Sequence, residues 1–181
     1  MIKKIPDAEL KSQRPDLDEL KQRKRFPIVV VAENIRSLYN VGSIFRTSDG
    51  ALVEKLWLCG YTGYPPRKEI DKTALGATKT VPWRYFKDIK DILNELKYNN
   101  WNIYALELTD NAIKFNQVPV NAFPIAIIAG NEISGIDNSI LELCDNSIYI
   151  PMYGVKHSLN VSVAVGITVY EILNILERNN L

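Results

Sequence analysis

The chain has 181 residues, 46% of them hydrophobic and 24% charged, the make-up of one soluble globular domain large enough to bury a core. Its formal net charge of +1 does not announce a nucleic-acid binder, and no positively charged start runs into an apolar stretch, so no secretory signal is visible and a cytoplasmic location is expected. Two distant cysteines, Cys59 and Cys144, offer neither a disulfide framework nor a zinc site, and one histidine, His157, all but excludes a His-based metal centre.

The first 25 residues carry eight basic and five acidic side chains, a local excess of three that ends in Arg23, Lys24 and Arg25. Residues 1–25 therefore read as a basic, partly helical extension able to neutralise phosphates, ahead of one domain over 26–181. Behind Pro27, the β-branched run Ile28 to Ala32 predicts a buried strand. Helical spacing follows over Val41 to Ala51, and a strand over Lys55 to Cys59 completes a β-α-β opening. Glycines, prolines and tyrosines between Gly60 and Pro66 predict a loop. A short helix is expected at Asp71 to Ala77, a strand at Thr80 to Trp83, and an amphipathic helix over Phe86 to Tyr98 from the spacing of Ile89, Ile92, Leu93 and Leu96. Strands at Ile103 to Leu108 and Ile125 to Ala129 and a helix at Ile136 to Leu143 follow. Two strand residues then lead through Pro151 and Gly154 into a polar turn, with Ser158 or Asn160 as the cap of a last helix.

That last segment, Leu159 to Leu176, is mostly apolar, but Asn160, Ser162, Thr168, Glu171 and Asn174 interrupt it. A membrane span needs roughly 20 apolar residues, so a buried or interfacial helix is expected and no membrane partner. Strands alternating with helices imply an α/β fold, a mostly parallel sheet with helices on both faces.

No G-x-G-x-x-G or G-x-x-x-x-G-K-[ST] is present, which argues against the common dinucleotide crevice and the P-loop. Instead, three segments place polar residues just after strands, where open α/β sheets bind ligands. They are Glu33-Asn34-Ile35-Arg36-Ser37-Leu38-Tyr39-Asn40-Val41-Gly42-Ser43-Ile44-Phe45-Arg46-Thr47, then Ala129-Gly130-Asn131-Glu132-Ile133-Ser134-Gly135, then Ile148 through Val165. Together they resemble, in order and spacing, the three motifs of the SpoU/TrmH family, a branch of the SPOUT methyltransferases. The first motif contains Asn40 and Arg46, the second Gly130-Asn131-Glu132, and the third Ile150-Pro151-Met152 and Ser158-Leu159-Asn160-Val161-Ser162. The stretch Lys72 to Ala77 also looks like a family feature.

The resemblance implies a C-terminal deep trefoil knot, S-adenosyl-L-methionine as methyl donor, a ribose 2′-hydroxyl of RNA (tRNA or rRNA) as acceptor, no metal, and a homodimer with its site near the interface. By the same resemblance Leu106, Gly130, Ile150, Met152 and Leu159 hold the donor, while Arg46, Asn40, Glu132, Ser158 and Asn160 form the catalytic set. A guanidinium is too weak a base to take a proton, so Arg46 is expected to position the hydroxyl and a phosphate. An arginine inside an apolar helical stretch is expected to meet an anion, and a salt bridge to Glu132 is the structural alternative. Glu132 could equally support the helix at Ile136. Ile133 stands where many relatives carry glycine, which predicts a stiffer second loop. A non-catalytic RNA-binding paralogue, or an enzyme acting on a small acceptor, are the competing readings.

Overall fold

Asp16 and Glu19 form a reciprocal capping box that starts the second of two short helices, α1 (Asp7–Ser12) and α2 (Leu17–Gln22), ahead of the first strand. This is a computed structural model describing residues 2–179; Met1 of the extension, Asn180 and Leu181 of the expected domain, and the Lys11 side chain lie outside the described residues. The basic cluster is not uniform. Arg23 and Lys24 are exposed, whereas Arg25 donates to the Val53 carbonyl at 3.1 Å and the Thr80 carbonyl at 2.7 Å, fastening the extension to the rim of the sheet.

From there the elements run β1 (Phe26–Glu33), α3 (Leu38–Gly50), β2 (Val53–Cys59), α4 (Lys68–Ala74), β3 (Trp83–Phe86), α5 (Ile89–Tyr98), β4 (Asn102–Leu106), β5 (Ile113–Lys114), β6 (Ile125–Ala129), α6 (Asn138–Leu141), β7 (Asn146–Tyr149) and α7 (Val161–Arg178). The strands lie in the order β3-β2-β1-β6-β4-β7-β5, and every strand pairing in the sheet is parallel. Because side chains alternate along a strand, Ile28, Val30 and Ala32 of β1 face a core built with Val41, Ile44 and Phe45 of α3 and Val165, Val169 and Ile172 of α7. Val29 and Val31 face the other way, onto Ile92, Leu93 and Leu96 of α5. Helices on both faces leave no free apolar side to the central strands.

Several boundaries differ from expectation. The strand expected at Thr80 to Trp83 is displaced, because Val81 donates its N–H back to Ala77 and Pro82 has none to give; the ladder begins where the Pro82 carbonyl accepts from Leu56. Phe86 consequently belongs to β3, and α5 starts only after Asp88, whose carboxylate accepts from the Lys90 N–H. The helix expected at Asp71 to Ala77 lies earlier and stops where Leu75 turns left-handed, φ +49°. The helix expected at Ile136 to Leu143 shrinks to four residues behind an Asp137 cap, and the strand expected to reach Leu108 ends at Leu106. The helix expected from Val41 begins at Leu38 behind the Ser37 cap. Of the two caps considered for the last helix, Asn160 fills the role, so α7 starts at Val161 rather than Leu159.

Candidate active site

The strand order reverses between β1 and β6, since β2 and β3 lie to one side of that pair and β4, β7 and β5 to the other. Such a switch leaves a crevice outside the carboxyl ends of the strands. A cavity of ≈ 730 Å³ opens beside it, lined by the segments that follow β4, β6 and β7.

Glu132, three residues past β6, turns across the switch to the start of α3. Its carboxylate accepts from the backbone N–H groups of Arg36 at 2.9 Å and Ser37 at 3.1 Å and from Asn40 Nδ2 at 2.9 Å. Backbone N–H groups at a helix entrance lack intrahelical partners and favour negative charge, so the acid is stabilised by the first motif rather than supporting the helix after Ile136. Burial pushes the Glu132 carboxyl up, but the hydrogen bonds from Arg36, Asn40 and Ser37 outweigh it and hold the group below its ordinary value.

Asn40 carries the link onward: its Oδ1 accepts from Asn160 Nδ2 at 3.0 Å, and Asn160 Oδ1 accepts from the Ser162 N–H at 2.9 Å as the cap of α7. The donor direction is self-consistent along the whole chain of bonds. A backbone N–H can only donate, which orients Asn160; Asn160 then orients Asn40; and the ionised Glu132 can only accept. Three segments, the first more than 90 residues ahead of the other two in sequence, are thereby tied at one edge of the cavity.

Asn131 forms a second clasp. Its Nδ2 donates to the Asn34 carbonyl and to the Tyr61 hydroxyl, while its Oδ1 accepts from the N–H groups of Ile133 and Ser134, both at 2.9 Å. Gly130 is required by this loop's own fold. A Cβ there would stand 2.5 Å from Ile136 Cγ1 and 2.8 Å from the Gly135 backbone, so the loop's return leg, and not a ligand, excludes a side chain. Ile133 is tolerated because its side chain is 77% exposed.

Residues 27–170 match the SpoU rRNA Methylase family. The chain belongs to that family. A relative, the tRNA (guanosine(18)-2′-O)-methyltransferase of Aquifex aeolicus (strain VF5), is 31% identical over 159 residues, 86% of this chain and 72% of the relative. The crystal structure of the A. aeolicus TrmH/SpoU tRNA modifying enzyme superposes with a TM-score of 0.80 at 31% identity, covering 91% of this chain and 82% of that one. An AdoMet-bound rRNA methyltransferase from Sinorhizobium meliloti superposes with a TM-score of 0.77 at 22% identity over 88% of this chain and 60% of that one, a likeness of fold alone. The chain is thus a SPOUT-type methyltransferase.

The methyl donor of SpoU enzymes is S-adenosylmethionine, and the cavity suits it. Its volume falls in the range of roughly 300–1,000 Å³ typical of small-molecule sites. Leu106, Gly130, Ile150, Met152 and Leu159 all line it; the four larger ones are only half-buried, leaving apolar surface for a ligand beside the loop backbones. Among the described residues no group of three or more His, Cys, Asp or Glu is placed to hold a metal ion, and no helix is long and apolar enough to cross a membrane.

The residues expected to be catalytic divide. Glu132 and Ser158 line the cavity, while Asn40 and Asn160 flank it through their shared bond. Ser158 is exposed and engages no cap. Arg46 is not buried among apolar neighbours as its sequence setting suggested: Val41, Ile44, Phe45 and Ser48 form the inward stripe of α3, and Arg46 lies off it, exposed. The salt bridge to Glu132 is not formed, and Arg46 makes no ion pair among the described residues. Glu107 was overlooked. It lines the cavity one residue past β4 and accepts from the Ile136 N–H at 3.2 Å, bracing the second loop; its place at a strand's carboxyl end was the available signal.

Proposed function

We propose that this chain methylates a ribose 2′-hydroxyl of tRNA or rRNA, with the donor in the ≈ 730 Å³ cavity and the acceptor beside Asn40, Arg46 and Asn160. The hydrogen-bond chain from Glu132 through Asn40 to Asn160 carries this reading, because it joins the first and third motifs at the cavity's edge. Bound S-adenosylmethionine would supply an electrophilic methyl on a leaving group that departs neutral, so what remains is alignment, charge stabilisation and release of the hydroxyl proton to solvent. Leu106, Gly130, Ile150, Met152 and Leu159 hold the donor. Glu132 and Asn160 fix the Asn40 amide, and Asn40 fixes the start of the helix that carries Arg46. The exposed guanidinium of Arg46 has its full set of donors available to a phosphate and the reacting hydroxyl. Ser158, free of any capping duty, is available to the acceptor.

The same reading includes a cytoplasmic enzyme, a domain over 26–181 behind a basic extension, the C-terminal knot, and a homodimer. Val163, Ile167 and Tyr170 form an exposed apolar stripe along α7, 49%, 38% and 50% accessible, of the kind that a second copy would cover. Sedimentation should then give about twice the 20.6 kDa chain mass. The functional test is Arg46→Ala with labelled S-adenosylmethionine: methyl transfer to RNA falls about 100-fold or more, while calorimetric donor binding stays near wild type. Wild-type turnover in that variant would remove Arg46 from the site.

A further inference from the structure

The loop after β2 presents an aromatic side chain that core packing does not explain. Tyr61 is 61% exposed, yet it is held at both ends: its backbone N–H donates to Asn34 Oδ1 at 3.0 Å, and its hydroxyl accepts from Asn131 Nδ2. The local backbone is shaped for this. Gly60 has φ +65°, and a Cβ there would lie 2.0 Å from Asn34 Oδ1, so only glycine lets the loop close onto Asn34. Asn34 itself is left-handed, φ +54°, a conformation Asn tolerates better than most residues. A tyrosine serving only as an anchor would bury its ring; this one fixes the hydroxyl and leaves the ring to solvent.

The surroundings point to an anionic, aromatic partner. Asn131 adjoins Glu132, so the ring stands next to the second motif at the rim of the site. Arg36 and Arg67, on the segments flanking this loop, are exposed and make no ion pair among the described residues. Tyr64 of the same loop is 43% exposed and packs on Tyr85 with ring centroids 4.5 Å apart, and the Tyr85 hydroxyl donates to the Gly60 carbonyl at 2.7 Å. The loop is thus braced on both sides of Tyr61.

We infer that Tyr61 is a stacking platform for a nucleobase of the acceptor RNA, with Arg36 and Arg67 meeting neighbouring phosphates. The inference rests on the RNA methyltransferase reading above. A ring whose orientation is set before binding gives up little side-chain freedom on contact, and stacking on it accepts any base.

Unmodified tRNA transcripts serve as the probe, in a filter-binding assay and in methyl transfer. Losing one stacked base corresponds to about 10-fold weaker RNA binding for Tyr61→Ala, with KM for RNA rising in parallel and S-adenosylmethionine affinity unchanged. Tyr61→Phe keeps the ring but gives up the bond to Asn131, so it binds RNA more weakly than wild type but clearly more tightly than Tyr61→Ala, whereas Tyr61→Leu, bulky but without a π face, behaves as Ala does. RNA binding by Tyr61→Ala at wild-type strength overturns the platform. So does a Tyr61→Phe protein that loses RNA and donor affinity together, since the tyrosine would then act only as an anchor for the Asn131 loop. If the wild type binds RNA in a Tyr61-dependent way but transfers no methyl group, the platform stands and the methyltransferase reading falls. If the wild type binds no RNA, both fall.

Discussion

Two clefts open at the carboxyl ends of the same sheet, each with a glutamate on its wall, and the two acids have opposite characters. Glu132, beside the ≈ 730 Å³ cavity, accepts two backbone N–H groups and the Asn40 amide, and its carboxyl is held below the ordinary value. Glu33, on a smaller cleft of ≈ 490 Å³ lined also by Cys59, Lys87 and Asp88, is 5% exposed and has the Asn34 amide as its hydrogen-bond partner. Burial, reinforced by Asp137, pushes Glu33 up against the pull of Asn34. The Cys59 thiol beside it is pushed up to about 12 by burial and by the charges of Glu33 and Asp88, so the second cleft contains no ready nucleophile. Strand ends alone therefore do not make a reactive site. The N–H groups at the entrance of α3 donate to Glu132 and turn it into an organising charge, whereas the start of α5 lines the second cleft without donating to Glu33, which stays a buried liability.

That contrast can be broken from either side. The largest effect is expected for Glu132→Gln. An amide presents one acceptor oxygen to three donors and brings donors of its own, so the link to Asn40 is disrupted and methyl transfer falls about 100-fold; activity within about twofold of wild type would show that the charge is dispensable. Next comes Gly130→Ala, which forces a Cβ against the Gly135 carbonyl and should cost about 1–3 kcal/mol of stability, read as a lower urea midpoint.

The smallest and most diagnostic effect is in the pH dependence. Glu132 has a folded pKa below its ordinary 4.5, so its contribution is present above that value and is lost as pH falls through the lower folded one. Glu33 has a folded pKa above 4.5, so its contribution is complete below 4.5 and is lost as pH rises through the higher folded value. Glu33→Gln should therefore stabilise the protein at pH 7 with a gain that vanishes toward pH 4, and Glu132→Gln should destabilise it at pH 7 with a loss that shrinks in acid. Urea midpoints against pH for both variants check the pair; equal slopes would contradict the contrast.

Much of this architecture is legible in the chain. Ile28 to Ala32 and Ile125 to Ala129 read as strands because burial on both faces demands continuous apolar runs, and all ten residues are buried. The spacing of Val41, Ile44, Phe45 and Ser48 already placed Arg46 off the inward stripe, although its apolar neighbours obscured this. The two residues of β5 left no local pattern, since that strand exists only through its pairing with β7. The partners of Glu132 were equally hidden. A carboxylate that reaches a helix entrance 95 residues earlier in the chain depends on β1 and β6 being neighbours, and that follows from sheet order, which no short stretch of sequence encodes. Family motifs named Asn40, Glu132 and Asn160 without saying that they bond to one another; the structure supplies that connection.

The central claim is that the tied motifs at the β1–β6 switch direct a methyl group to a ribose oxygen. Its most direct test is to incubate the protein with methyl-labelled S-adenosylmethionine and unmodified tRNA and rRNA transcripts, hydrolyse the RNA in alkali, and separate the products. Ribose methylation removes the 2′-hydroxyl that attacks the adjacent phosphate, so label is predicted in alkali-resistant dinucleotides and should disappear with Arg46→Ala. Label recovered in mononucleotides, the signature of base methylation, or none transferred to either RNA, would contradict the account.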